Sequence, residues 1–236
     1  MRPLIGINLD QEASGSFSPA PYAALRVRYF DTVYAAGGLP VGISGDASSC
    51  VEYAKRLDGI LIPGGECAFP DDWYIDENES APYPPSQRLD MDVELVKHAI
   101  AHNIPLLGIC HGMQVMACMS GCKMTRNLHA HYDTNIDHKN GAPKEKICHD
   151  VEVIFGTKLR TVTNADIIQT NSYHQESVME VKENVLISAT APDGVIEAIE
   201  LASQKFAIGV QWHPEYLVTD ADYAIFDAFI KACKDG

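Results

Sequence analysis

An apolar run, Ile104-Pro105-Leu106-Leu107, passes directly into Gly108-Ile109-Cys110-His111-Gly112-Met113-Gln114, and no other stretch leaves this chain so little choice of fold. A strand that turns sharply into a helix strains the residue at the corner and brings neighbouring backbone close on both sides. The positions around the corner therefore need residues without a Cβ. Gly108 and Gly112 supply that need around Cys110. Met113, Val115 and Met116, closed by Gly121, read as a short helix with a glycine stop, so the Cys110 thiol sits at a helix N-terminus. Unpaired N–H groups and the helix dipole favour a thiolate there. The cysteine is expected to be presented rather than buried, and as a nucleophile it requires a base. Cys50, Cys67, Cys118, Cys122, Cys148 and Cys233 lie between no glycines and read as small core residues.

The flanking pattern extends this unit into an α/β architecture. Leu4 to Leu9 predicts a strand, and Tyr22, Leu25, Tyr29, Val33 and Ala36 recur at helical spacing before Gly37-Gly38. Leu39 to Ile43 predicts a second strand and a helix ends near Leu57. Gly59-Ile60-Leu61-Ile62 forms a third strand entering Pro63-Gly64-Gly65, and Leu89, Val93, Val96 and Ile100 make a helical stripe before the strand at Pro105 to Ile109. Alternating strands and helices imply parallel pairing, with ligands beyond the carboxyl ends of the strands. Arg126 to Asp150 has no period and reads as a long surface excursion. Short β-like runs follow at Val151 to Phe155, Ile167 to Gln169, Val185 to Thr190, Val195 to Leu201 and Phe206 to Trp212, spaced as antiparallel additions in the C-terminal half. A last helix carries Tyr223, Phe226, Ile230 and Cys233 on one stripe. Nothing divides the chain, so residues 1–236 read as one domain.

The base is expected in Gly209-Val210-Gln211-Trp212-His213-Pro214-Glu215. Pro214 fixes its own φ and holds His213 extended, so the imidazole and the Glu215 carboxylate stay at the exit of a strand. Glu215 can accept from one ring nitrogen while the other faces the thiol, which is the logic of a nucleophile, base and orienting acid.

GICHGMQ followed by GVQWHPE resembles the triad glutamine amidotransferase-like hydrolases, with the Pro63-Gly64-Gly65 turn at the place of their oxyanion loop. Ile5-Gly6-Ile7, the run from Tyr34 to Val41 and Asn171-Ser172-Tyr173-His174 are similar to one branch, the gamma-glutamyl-hydrolase-like peptidases. The resemblance covers nearly the whole chain. It implies a three-layer, flavodoxin-like α/β fold with a mostly parallel central sheet, flanking helices and a nucleophile elbow. The chain departs from the branch at Gln175-Glu176, where a second histidine and a glutamine are usual, and around Gly121 to Asn127.

The implied reaction is hydrolysis of a gamma-glutamyl amide. Cys110 attacks the side-chain carbonyl, His213 protonates the departing amine, and water resolves the thioester while Glu215 holds the imidazole. The oxyanion is met by the backbone N–H of His111 and one from Gly64 or Gly65, which leaves the His111 side chain for other work. The resemblance places Gln114 against the glutamyl group and His174 near the same pocket. Between Glu66 and Gln87, Glu66, Asp71, Asp72, Asp76, Glu77 and Glu79 alternate with Phe69, Trp73, Tyr74 and Tyr83, without lysine or arginine. Trp73 and Tyr74 in that setting suit a cationic amine, as in a gamma-glutamyl polyamine, and place the chain in polyamine catabolism. A glutaminase subunit supplying ammonia to a separate synthase uses the same triad and is the competing expectation.

Charge narrows the partners. The net charge of -14 argues against nucleic acid and anionic membrane surfaces, leaving a small gamma-glutamyl substrate, and a homodimer is compatible with it. The histidines and Cys148 between residues 126 and 150 match no compact zinc spacing, so neither a metal nor a cofactor is expected. An odd cysteine count, no signal-like N-terminus and no long apolar run point to the cytoplasm.

Overall fold

The computed structural model describes residues 1–75, 86, 88–139 and 145–235. The N-terminal half alternates strands and helices: β1 (Leu4–Asn8), the hairpin β2 (Asp10–Glu12) and β3 (Tyr22–Ala24), α1 (Val27–Ala35), β4 (Leu39–Ile43), α2 (Cys50–Ala54), β5 (Gly59–Ile62), α3 (Arg88–His102), β6 (Leu106–Ile109) and α4 (His111–Met119). The second half holds β7 (Lys123–Thr125), β8 (His149–Val153), α5 (Lys158–Thr163), β9 (Ile167–Thr170), β10 (Ser177–Glu180), β11 (Val185–Thr190), β12 (Ile196–Leu201), β13 (Ala207–Val210) and α6 (Asp220–Lys234).

Nine strands form the central sheet in the order β4-β1-β5-β6-β13-β12-β11-β8-β9. The first five pair in parallel. The remaining pairs are antiparallel. Both faces of the parallel part are covered, as the nearly continuous apolar strands require. Ile60 and Ile62 point into a core shared with α2, α3 and α4, whereas Leu61 points into one shared with α1 and α6. No described helix is long and apolar enough to cross a membrane.

Three elements depart from the sequence pattern. Tyr22 and Leu25 do not join the first helix, because residues 22–24 pair with residues 10–12 as a hairpin and the helix starts only at Val27. Its buried side keeps Tyr29 and Val33 of the predicted stripe and adds the polar Thr32. Tyr223 is exposed on α6, whose buried stripe is Ile225, Phe226, Phe229, Ile230 and Cys233. The stretch from Arg126 to Asp150 is no surface excursion throughout: Arg126, Leu128, His138 and His149 are buried.

The elbow explains its own glycines. A Cβ on Gly112 would lie 2.2 Å from the Ile62 carbonyl oxygen, and one on Gly108 would lie 2.7 Å from the Gly112 backbone. Real Cβ atoms do not tolerate such distances, so helix and strands can approach this closely only through these two residues. Cys110 itself takes φ 51° and ψ -105°. Its N–H is held by the Val210 carbonyl at 2.7 Å and its carbonyl accepts from Gln114 N–H at 3.1 Å, so the strain is fixed from both sides.

Candidate active site

Strands β5, β6 and β13 are adjacent and parallel, so their carboxyl ends open side by side. They deliver the Pro63-Gly64-Gly65 turn, Cys110 and the Gln211-Trp212-His213 exit to one spot, the crevice position expected of such sheets. His213 Nδ1 donates to Glu215 Oε1 at 2.8 Å. The opposite side of the ring hydrogen-bonds with the Cys110 side chain. His213 and Glu215 are buried, and Cys110 is only 7% exposed, so the thiol is presented to its neighbours and not, as its place between glycines suggested, to open solvent. Burial alone would lower the His213 pKa, but the charge of Glu215 and the contact with Cys110 raise it to about 9. Glu215 moves the other way: burial opposes its charge, and His213 holds it below the usual carboxylate range.

The backbone around His213 is clamped. The Asn171 side chain accepts from His213 N–H at 2.8 Å and donates to the His213 carbonyl at 2.8 Å, which gives the Asn-Ser-x-His element a concrete task. From the other face, Thr32 of α1 donates to the Glu215 carbonyl at 3.1 Å. Gln211, which the sequence had not singled out, donates through Nε2 to Cys110 Sγ at 3.5 Å. Gln114 is buried and reaches Gln211 Oε1 at 3.3 Å and the Glu176 carbonyl at 3.4 Å.

The oxyanion assignment needs correction at Gly64. Its N–H donates to the Tyr29 hydroxyl at 3.0 Å, and that hydroxyl faces the Glu215 carboxylate, so Gly64 braces Tyr29 beside Glu215 instead of facing an incoming oxygen. Its lack of a side chain still matters, because a Cβ there would lie 2.8 Å from His213 Cε1. Gly65 N–H remains the candidate donor from this turn, together with His111 N–H in the first turn of α4.

Nor is the His111 side chain free. It is buried, its Nε2–H donates to Asp92 Oδ2 at 2.8 Å, its Nδ1 lies 3.5 Å from Cys67 Sγ, and its ring stacks on Phe69 with centroids 4.9 Å apart. Burial and the nearby Arg88 lower its pKa, keeping the ring neutral. Arg88 anchors this layer. Fully buried, it donates to Asp92 at 2.8 Å, to Asp10 at 2.7 Å, to the Pro63 carbonyl at 2.8 Å and to the Gly64 carbonyl at 3.2 Å, while Asn8 donates to Asp92 at 2.8 Å. The charges compensate one another inside the core, which is the condition under which buried ions persist. Sequence reading missed Arg88, Asp92 and Asn8, since Arg88 and Asp92 look like an ordinary helical i,i+4 pair and Asn8 is a single polar residue at the end of a strand.

The acidic aromatic segment packs inward. Phe69 and Tyr74 are buried, and Phe69 stacks on Trp73 with centroids 5.4 Å apart. Arg126 lies over the Tyr74 ring at 4.0 Å and pairs with Asp71, and Lys123 donates to the Asp72 carbonyl. Cations from outside the segment thus already use the face expected to receive a substrate amine, which corrects Tyr74 as an open cation-π site; Trp73 spends one face on Phe69. Tyr74 instead donates to Glu176 Oε1 at 2.5 Å, and burial pushes the Glu176 carboxyl up to about 7. Asp76, Glu77, Glu79, Tyr83 and Gln87 lie outside the described residues. His174 faces Glu197 and the Glu176 carbonyl, at 3.3 and 3.0 Å, so both of its ring nitrogens are engaged there.

The other cysteines divide. Cys50, Cys67, Cys118, Cys122 and Cys233 are buried, whereas Cys148 is half-buried, against its reading as a core residue. Burial pushes the thiols of Cys50, Cys67 and Cys233 up to about 11, 12 and 12, so they stay protonated at neutral pH.

The family model described as peptidase C26 matches residues 3–215. The chain belongs to the peptidase C26 family. As a member of this class I glutamine amidotransferase-like group of hydrolases, it is 30% identical to a protein of Rickettsia prowazekii named as glutamine amidotransferase-like, over 99% of this chain and 98% of the relative. It is 29% identical to the gamma-glutamyl-gamma-aminobutyrate hydrolase of Escherichia coli O157:H7, over 89% of this chain and 86% of that one. Among solved structures, a Thermoplasma acidophilum protein described as a GMP synthase subunit superposes with a TM-score of 0.65 at 19% identity, covering 100% of this chain and 96% of that one. The glutaminase domain of Trypanosoma brucei CTPS with bound acivicin gives 0.64 at 17%, covering 99% and 94%. These last two share the fold.

Proposed function

We propose that this peptidase C26 chain hydrolyses gamma-glutamyl amides of small amines, with Cys110 as nucleophile, His213 as acid and base, and Glu215 as the group that orients and charges the imidazole. The observation that carries the reading is the unbroken line from Glu215 through His213 to a thiol held at φ 51° at the start of a helix. In acylation, Sγ attacks the side-chain carbonyl carbon and the tetrahedral oxygen is met by His111 N–H and Gly65 N–H. Protonated His213 then gives its proton to the leaving amine as the C–N bond breaks. In deacylation, His213 takes a proton from water, hydroxide adds to the thioester, and glutamate leaves with the thiolate restored. Gln211 Nε2–H, directed at the sulfur, stabilises the thiolate in both halves. Gln114, two hydrogen-bonding steps from the sulfur through Gln211, is the candidate contact for the glutamyl group.

The amine is the less constrained end. A relative named gamma-glutamyl-gamma-aminobutyrate hydrolase supports the aminobutyrate amide, and the described carboxylates Glu66 and Asp72 favour a cationic amine such as gamma-glutamyl-putrescine. Turnover of both, beside free glutamine, tests the reading. Hydrolysis of either amide supports it, with their ratio giving the amine preference. Inertness toward both amides, with glutamine hydrolysed only when a synthase partner is added, would move the chain to an ammonia-supplying role.

A further inference from the structure

Four residues that no step above uses meet in the core: His138, His149, His174 and Glu197. All four are buried, with Glu197 and His138 at 0% exposure. They come from distant parts of the chain, which is why no short spacing announced them. Their hydrogen bonds fix the tautomers. His138 Nε2 faces Asp193 Oδ2 at 2.9 Å, His174 Nδ1 faces the Glu176 carbonyl at 3.0 Å, and His149 Nδ1 faces the Asp150 carbonyl at 3.0 Å. Carboxylates and carbonyls only accept, so these three nitrogens carry the protons. In neutral rings the other three nitrogens then present lone pairs, and all three aim at one carboxylate oxygen. His138 Nδ1, His174 Nε2 and His149 Nε2 lie 3.2, 3.3 and 3.5 Å from Glu197 Oε1.

Lone pairs facing a carboxylate repel unless something positive lies among them, either a metal ion or a proton, which Glu197 and Asp193 favour on His138 against its burial. His138 Nδ1, His149 Nε2 and Glu197 Oε2 are buried without a well-aligned hydrogen-bond partner. We infer that His138, His174 and Glu197 form a divalent transition-metal site of the zinc class, with His149 beside it. The His138 and His174 nitrogen-to-oxygen separations match the edge of a tetrahedron with zinc–ligand bonds of about 2.0–2.1 Å, which is about 3.4 Å. The ligand atoms of His138, His174 and Glu197 lie within 4.8 Å of one another, close enough for one ion to draw them together. Each imidazole donates its second N–H to a carboxylate or carbonyl, the outer arrangement that orients histidine ligands on metals.

Two imidazoles and a carboxylate, all buried, supply three protein ligands, so the ion would hold these segments together. It ties the stretch around His138 to His174 and to Glu197 of β12, and its neighbours reach the active site. The Glu197 carbonyl accepts from Gln211 N–H at 2.7 Å, and the Glu176 carbonyl shared by His174 is also contacted by Gln114.

The test is metal binding by the tag-free full chain. Metal content is measured as purified, followed by Zn2+ titration against a chromophoric chelator and Co2+ substitution read by visible absorption. The expected result is one equivalent of Zn2+ per chain and a tetrahedral Co2+ spectrum without thiolate charge-transfer bands. Asp193→Asn should weaken Zn2+ about 10 to 100-fold by releasing the His138 ring, and His138→Gln should weaken it further, while Cys110→Ala leaves binding unchanged. The wild-type titration decides the matter even where a variant does not fold. Absence of stoichiometric binding to folded wild type, thiolate bands in the Co2+ spectrum, or unaltered affinity in folded His138→Gln would each overturn the site and leave a proton-shared histidine cluster.

Discussion

Replacing Asn171 by alanine removes both hydrogen bonds that fix the His213 peptide, each 2.8 Å long and each within the core. No water-facing route relieves the loss, because Asn171 and His213 are 0% and 2% exposed. Losing a partner of a buried backbone donor costs about 1–3 kcal/mol, and the His213 carbonyl, which also accepts from Tyr216 N–H at 3.4 Å, adds less, so the total is about 2–4 kcal/mol. For a chain of 236 residues each kcal/mol moves the midpoint about 2–4 °C, so Tm should fall by roughly 5–15 °C in a scan of Asn171→Ala, with the protein still folded at 25 °C. The same substitution loosens the imidazole against Cys110. Displacement of a reacting group by about 1 Å costs about 100-fold, and because Asn171 touches the base and not the bound amide, the loss should appear in kcat with KM little changed. A Tm within about 2 °C of wild type together with unchanged kcat would refute the clamp.

Three further outcomes follow from charges. His213, raised to about 9, is protonated in the native state across a range where the unfolded ring is neutral. Its stabilising contribution is therefore complete below about pH 6.5 and lost as pH rises through about 9. The kcat/KM profile should fall on the same basic limb, because amine departure needs the proton, and a profile flat to pH 10 would contradict it. Arg88→Met strands the Asp92 charge in the core and should destabilise the fold by about 3–5 kcal/mol in urea titrations; a loss below about 1 kcal/mol would show that the layer beneath the Pro63-Gly64-Gly65 turn is not electrostatically held. Glu176 has the opposite sign from an ordinary paired carboxylate, since burial raises it to about 7 and its ionisation opposes folding as pH climbs from about 4.5 through 7. Glu176→Gln should thus stabilise by about 1–3 kcal/mol at pH 8 and change little near pH 5, and equal effects at both values would exclude that origin.

The parts visible in the sequence are those set by backbone geometry. Gly108 and Gly112 are demanded by contacts of 2.7 and 2.2 Å, Pro214 restricts His213, and the apolar runs of β4, β5 and β11 end where the pattern ended. Side chains whose role depends on tertiary neighbours were hidden. Arg88 and Asp92 look like an ordinary helical i,i+4 pair until α3 packs over β1 and β5, and Tyr29 looks like a core aromatic until its hydroxyl meets Gly64. The acidic aromatic segment misled because its missing cations, Arg126 and Lys123, arrive from β7 and the residue after it. The hairpin of β2 and β3 shows the same limit, since local pairing overrode a helical period that Tyr22 and Leu25 matched by coincidence.

The central claim, that Cys110 carries the glutamyl group during amide hydrolysis, is tested by assaying gamma-glutamyl-aminobutyrate, gamma-glutamyl-putrescine and glutamine with wild type and Cys110→Ala side by side. The account predicts release of glutamate from at least one gamma-glutamyl amide by wild type and a loss of roughly 1,000-fold or more in the variant, as for removal of a nucleophile in other triads. Amide hydrolysis that survives undiminished in Cys110→Ala would contradict it.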